Sequence, residues 1–171
     1  MRQKRVSDYG GHSPIGFWLE SAFIALIALA FIAALLAMVA YAHGQPVSST
    51  DIRVVDGDTI ALSGLRQHVR LVGLNAPETR NAGCEAEAQL GQRAKQRLQV
   101  LVDTGSLELT FIACSCPPGT EATQRCNHGR RCGILRAEGR DVGSVLMSEG
   151  LAVPFQCGKV SCPPTPRPWC R

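Results

Sequence analysis

The spacing of apolar residues changes along this chain, and each change predicts an element. From Ser21 to Ala42 no charged residue interrupts a run of Ala, Leu, Ile, Phe and Val. About 20 such residues cross a hydrocarbon core about 30 Å thick. The pattern therefore predicts one N-terminal transmembrane or signal helix over residues 21–42, preceded by a short cytoplasmic N-terminus, residues 1–20. Arg2, Lys4 and Arg5 lie ahead of the run, and the positive-inside rule keeps that end in the cytoplasm. Ala40-Tyr41-Ala42 also fits a small-x-small cleavage site. A retained anchor and a cleaved signal peptide both stay open, and either one exports the remainder.

Residues 43–50 read as a polar linker. The period then becomes two. Ile52–Val55 and Thr59–Leu62 are short β-rich runs around Asp56-Gly57-Asp58, a hairpin signal because glycine accepts a positive φ. Ser63-Gly64 makes the next turn. Gln67–Leu74 reads as a longer strand, with Val69, Leu71 and Gly73 on one face and Arg70, Val72 and Leu74 on the other. Pro77 ends it. From Glu85 to Val102 the period lengthens to that of a helix, with Leu90, Ala94, Leu98 and Leu101 on one stripe. Glu85 and Glu87 suit its N-terminal dipole. Leu107–Ile112 and Cys132–Ala137 are two more strands, separated by a cysteine-rich excursion. Asp141–Gly150 is a short helix. Residues 156–171 form a Cys- and Pro-rich tail with too many prolines for a helix.

This order predicts a mainly β, α+β domain over residues 51–155. Five strands with one inserted helix suit a small closed OB-fold barrel, which removes exposed edges.

Composition sharpens the compartment. All eight cysteines (Cys84, Cys114, Cys116, Cys126, Cys132, Cys157, Cys162 and Cys170) follow the apolar run. An even count in an exported domain points to disulfides. Eight cysteines allow 105 connectivities, so the pairing stays open. Cys114, Cys116, Cys126, His128 and Cys132 would be the alternative zinc ligands, although their spacing lacks a regular knuckle. Past residue 43 there are 15 basic and 12 acidic residues. That mild excess permits a polyanionic partner without demanding one. Aromatics make up 5% of the chain, which argues against an extended base-stacking platform. His12, His43, His68 and His128 show no catalytic spacing.

The candidate chemistry lies in Val54-Val-Asp-Gly-Asp-Thr-Ile60 and Arg70-Leu-Val-Gly-Leu-Asn-Ala-Pro-Glu-Thr79. Carboxylates at strand ends with an arginine between them could hold a cation and an anion side by side. With Gly129-Arg130, Glu138-Gly-Arg-Asp-Val-Gly143 and Glu149-Gly-Leu-Ala152, these stretches closely resemble the staphylococcal nuclease (thermonuclease) family over roughly residues 50–155.

The resemblance implies a metal-dependent OB-fold nuclease that hydrolyses phosphodiester bonds of DNA or RNA and leaves 3′-phosphate ends. It places Arg70 and Arg130 on the phosphate, where their planar forks suit paired oxygens. It makes Glu78 the general base. Asp58, Asn75 and the backbone carbonyl of Ala76 become ligands for Ca²⁺, with no organic cofactor. The family carries Asp where this chain has Asn75. Losing that charge should weaken Ca²⁺ binding by about tenfold or more, or favour another divalent ion. A pairing of Cys84 with Cys170, tying the tail over the barrel where the staphylococcal enzyme has a further helix, is a hypothesis built on the same comparison. The remaining cysteines would then brace the Arg130 loop and the tail.

Nucleic acid is thus the expected substrate. The membrane, through residues 21–42, is the expected anchor, with the domain on the periplasmic face of a bacterial-type inner membrane, or secreted after cleavage. Two other classes compete: a catalytically impaired OB-fold binding module at the membrane surface, motivated by Asn75, and a disulfide-rich structural or adhesion domain.

Overall fold

The structure is a computed structural model, and it describes residues 24–36 and 44–170. The chain divides into two units, Met1–Ala42 and His43–Arg171. In the first, residues 24–36 form a helix, α1, whose large apolar side chains are exposed. The rest of the expected span, 21–23 and 37–42, lies outside the described residues. Among the described residues, no helix is long and apolar enough to cross a membrane.

The second unit is α+β, built on a curled half-barrel sheet. Its elements are β1 (Gln45–Val47), β2 (Ile52–Asp56), β3 (Thr59–Leu62), β4 (Val69–Leu71), β5 (Gly73–Asn75), α2 (Glu85–Asp103), β6 (Leu107–Ile112), β7 (Arg131–Ala137), β8 (Arg140–Asp141), α3 (Val142–Ser148) and β9 (Val153–Phe155). The main sheet runs β1-β6-β7-β4-β3-β2, and β8 adds to β7. Every pairing in it is antiparallel except β4 with β7. Part of the expected linker is therefore structure: Gln45–Val47 ladders onto Leu107–Leu109.

The sheet is not the closed five-stranded ring that the alternation suggested. β1 and β2 remain its two edges, and α2 packs against β2. The cause lies at Gly73, whose φ of 88° is open to glycine and costly for other residues. There the long strand breaks. Val69 and Leu71 face the core as expected, but the rotation buries Leu74 as well and exposes Gly73. The released piece, β5, pairs with β9 in a separate two-stranded ladder. It carries Asn75 away from the sheet and towards the C-terminal tail.

The core is aliphatic. Ile60, Val69, Leu71, Leu98, Leu109 and Leu135 are all essentially buried, and each such side chain contributes about 1.5–3 kcal/mol by leaving water. The buried face of α2 is Glu87, Gly91, Ala94, Leu98, Leu101 and Val102. This corrects the predicted stripe, in which Leu90 stood where Gly91 lies. A Cβ at Gly91 would sit 2.7 Å from the Glu78 carbonyl oxygen, so the helix crosses the 77–78 backbone too closely for any side chain. Gly57 is required for the same reason and not for its φ. A Cβ there would lie 2.7 Å from that of Ala76 and 2.8 Å from that of Ala94. α3 begins at Asp141, whose carboxylate accepts from the Ser144 N–H at 2.7 Å, an ordinary N-cap.

All eight cysteines are paired: Cys84–Cys170, Cys114–Cys132, Cys116–Cys126 and Cys157–Cys162. The hypothesised tail bridge from Cys84 to Cys170 is present. The zinc alternative is displaced, because its four sulfurs are bonded to one another in pairs. His68 and His128 are exposed, while His12 and His43 lie outside the described residues.

Candidate functional site

Four segments distant in sequence meet beside β4. Asp58 sits in the tight connection between β2 and β3, where Gly57 allows the chain to pass under α2. Its side chain is 5% exposed. One carboxylate oxygen takes an ion pair from Arg70 and the Thr59 hydroxyl at 3.0 Å. The other accepts the Ala76 N–H at 2.8 Å. Arg70 projects from β4 with its side chain 13% exposed. Its Nη2 donates to the Asn75 Oδ1 at 2.7 Å and to the Leu74 carbonyl at 3.4 Å. Glu78 is half-buried in the loop that follows β5.

Arg130 comes from the cysteine-rich loop. Its Nε donates to the Asn127 carbonyl at 3.1 Å and its Nη2 to the Asn127 Oδ1 at 2.9 Å. Asn127 in turn donates to the sulfur of Cys132 at 3.3 Å. The Cys114–Cys132 and Cys116–Cys126 bridges close this loop on both sides, so the arginine is cocked by a short, cross-linked turn. Asn127 was not among the sequence candidates. The signal it leaves is an Asn two residues ahead of Gly129-Arg130, since Asn tolerates the left-handed region, and its φ here is 49°.

Electrostatics tie these groups into one neighbourhood. Burial lowers the Arg130 pKa, as does the positive charge of Arg70, while Asp58 and Glu78 oppose the shift. Burial also pushes the Glu78 carboxyl above its usual range, reinforced by repulsion from Asp56 and Asp58 and opposed by Arg70 and Arg167. Asp56 is raised by burial and by Asp58, against hydrogen bonds from Gly57 and Thr79. Arg70, Glu78, Arg130 and Asp58 therefore lie close enough to influence one another's charge.

Three carboxylates repelling one another leave the site short of positive charge. The donor set, Asp58, the Asn75 Oδ1 and the Ala76 carbonyl with Asp56 and Glu78 nearby, is all hard oxygen. It fits a divalent cation in chemical kind. Arg70 competes for two of those oxygens. Among the described residues, no three His, Cys, Asp or Glu side chains approach closely enough to form a ligand cage by themselves.

A cavity of about 380 Å³ opens next to Arg70. Leu71, Ile112, Asn127, Cys132, Phe155 and Cys157 contribute to its wall, which is mostly apolar. No protein-family model and no curated protein matches this chain.

Proposed function

We propose that the domain is a metal-dependent nuclease of the staphylococcal nuclease type, hydrolysing phosphodiester bonds of DNA or RNA and leaving 3′-phosphate ends. The observation that carries this reading is the meeting of two arginines with Glu78 and Asp58 in a single electrostatic neighbourhood. The curled sheet, with α2 entering after β5, supports an OB-type barrel as its ancestry. The apolar cavity beside Arg70 has the size and lining to receive a nucleobase.

In this mechanism Arg70 and Arg130 grip two oxygens of the phosphodiester, and their fixed charge stabilises the added negative charge of the transition state. Arg130 is held ready by Asn127, so little reorganisation is needed. The Glu78 carboxylate accepts a proton from the attacking water as the water oxygen bonds to phosphorus; the P–O5′ bond breaks, leaving the 3′-phosphate, and the departing 5′-oxygen takes a proton from solvent. A Ca²⁺ or other divalent ion held by Asp58, Asn75 and the Ala76 carbonyl would supply Lewis-acid polarisation and an activated water when bound.

The four disulfides suit an oxidising compartment. With the apolar run at residues 21–42, they support an exported enzyme tethered to the membrane, or released by cleavage. The decisive experiment is cleavage of single-stranded DNA by the disulfide-intact domain with Ca²⁺, Mn²⁺, Mg²⁺ or chelator. Metal-dependent cleavage that Glu78→Gln lowers by about 10²–10⁴ supports the reading. DNA binding without cleavage, indifferent to Glu78→Gln, would favour the second reading, an impaired binding module. That reading draws on one observation: both polar atoms of Asn75 are already engaged with protein groups.

A further inference from the structure

The loop between β5 and α2 has no strand ladder to hold it, and its polar backbone groups must be satisfied elsewhere. Asp58 takes the Ala76 N–H at 2.8 Å. Glu87 takes two more: its Oε1 faces the Glu78 N–H at 3.4 Å and its Oε2 the Gly83 N–H at 2.7 Å. Glu87 is 0% exposed. A fully buried carboxylate is costly unless paired, and its partner comes from the far end of the chain. Arg167 donates from Nε to Oε1 at 3.0 Å and from Nη2 to Oε2 at 2.8 Å. The same Nη2 also donates to the Asn81 carbonyl at 2.9 Å. Glu87 and Arg167 therefore hold the loop at Glu78 itself and at Asn81 and Gly83 beyond it.

The tail is anchored at two further points. Cys170 is bonded to Cys84, the residue that opens α2. Just ahead of Arg167, the Pro166 carbonyl accepts the Asn75 Nδ2 at 3.0 Å. The other end of that amide accepts from Arg70. Asn75 thus joins the tail directly to a phosphate-binding arginine. An aspartate could accept from Arg70 but has no proton for Pro166.

We propose that the tail segment Pro166–Cys170 is a working part of the catalytic site, with Glu87 and Arg167 as positioning residues for Glu78 and Asn75 as the strut that sets Arg70 against the tail. The assignment rests on the nuclease reading for its kinetic consequence and on geometry alone for its structural one. Arg167 lies on the outside of the clasp, but its loss leaves Glu87 buried without its partner, so Glu87→Gln, which removes that charge, is the companion variant. The three other disulfides do not involve the clasp.

The test uses the disulfide-intact protein and four variants: Arg167→Ala, Arg167→Lys, Glu87→Gln and, as a control, Arg97→Ala. Arg97 pairs with Glu149 on the surface, away from the site. Two quantities are read: kcat and KM on single-stranded DNA, and amide hydrogen exchange resolved to residues 76–84. Arg167→Ala should lower kcat about 10- to 100-fold, the range for a reacting group misplaced by up to about 1 Å, while KM changes less than about threefold. Exchange should accelerate in 76–84 and stay unchanged in β3, β4 and β7. Glu87→Gln should move both readouts in the same direction. Arg167→Lys should restore only part of kcat, because an ammonium lacks the paired fork. The control should match wild type. Unchanged exchange in 76–84 on loss of Arg167 would overturn the clasp. Faster exchange with full kcat would overturn the positioning role. A wild type that cleaves nothing under any cation would instead refute the nuclease reading, and the exchange data would then decide the clasp independently.

Discussion

Replacing Gly91 by alanine asks whether α2 sets the position of the Glu78 backbone. The added Cβ would stand 2.7 Å from the Glu78 carbonyl oxygen, 2.8 Å from that of Pro77 and 2.9 Å from the Glu78 carbonyl carbon. All three are backbone atoms, so no flexible side chain can swing away. Ordinary contact begins near 3.4 Å, and reaching it from 2.7 Å requires about 0.7 Å of relative movement. Two energies compete. Alanine favours a helix interior over glycine by about 1 kcal/mol, whereas overpacking a tight contact costs about 1–3 kcal/mol. The net is a destabilisation of up to about 2 kcal/mol. The kinetic effect should be larger. A misplacement of 1 Å costs about 10²-fold in rate, so 0.7 Å at the loop carrying Glu78 should lower kcat about 10- to 30-fold. Urea denaturation and single-stranded DNA cleavage measure the two, with Val100→Ala on the exposed face of α2 as reference. A Gly91→Ala protein that is about 1 kcal/mol more stable and fully active would refute the close crossing, and with it the claim that the helix fixes the loop.

Three further outcomes follow from the same geometry. The Cys84–Cys170 bridge spans 86 residues and the Cys157–Cys162 bridge five. By chain entropy alone, their paired Cys→Ser replacements should cost about 4.6 and about 2 kcal/mol respectively, and denaturation midpoints should rank in that order. Hydrogen bonds from Arg167 hold the Glu87 pKa below the usual carboxylate value, with burial acting the other way. A depressed folded pKa contributes stability above the unfolded value of 4.5, which is lost as pH falls through the lower folded one. As pH falls below about 4.5, Glu87→Gln should therefore flatten the loss of stability that wild type shows in denaturation curves. Finally, Asn127→Ala removes one of the two groups that orient Arg130. It should lower kcat on DNA about tenfold and also lower the melting temperature by several degrees, because it removes a hydrogen bond to a charged donor worth about 1.5 kcal/mol, the amide's contacts with the Cys114 and Cys132 sulfurs, and a residue suited to a φ of 49°.

Much of the strand and helix framework could be read from periodicity, because period two and period 3.6 are local signals. Thr59–Leu62 and Leu107–Ile112 stand where alternation placed them, and α2 differs from its expected span by one residue. What alternation could not show was the break at Gly73. A single positive φ reverses the faces beyond it, and nothing in Arg70-Leu-Val-Gly-Leu distinguishes that from a continuous strand. The stripe on α2 was missed by one position for a related reason. Leu90 is the more apolar residue, but the closest neighbour of that face is a loop backbone, and only Gly91 fits beneath it. The sequence singled out Arg70, Glu78 and Arg130 by residue type, and the fold brings them into one electrostatic neighbourhood. The site was illegible where a residue acts across the chain. Glu87 reads as a helix-dipole charge until Arg167, 80 positions away, is seen lying against it.

Asn75 shows how far those two kinds of reading can diverge. By residue type alone it is a missing charge, and Asn75→Asp should simply strengthen cation binding. In the fold its amide donates to Pro166 and accepts from Arg70. An aspartate would keep the second contact and turn the first into a carboxylate oxygen facing a carbonyl oxygen. One substitution would thus add negative charge near Asp58 while loosening the strap that steadies Glu78. The two effects oppose each other in rate but not in kind: one acts through cation affinity, the other through kcat at saturating cation. The amide at position 75 and the disulfide-anchored tail, which look unrelated along the chain, are then one arrangement. The amide is there because the tail needs a donor, and the tail has a fixed place because the amide and Glu87 hold it.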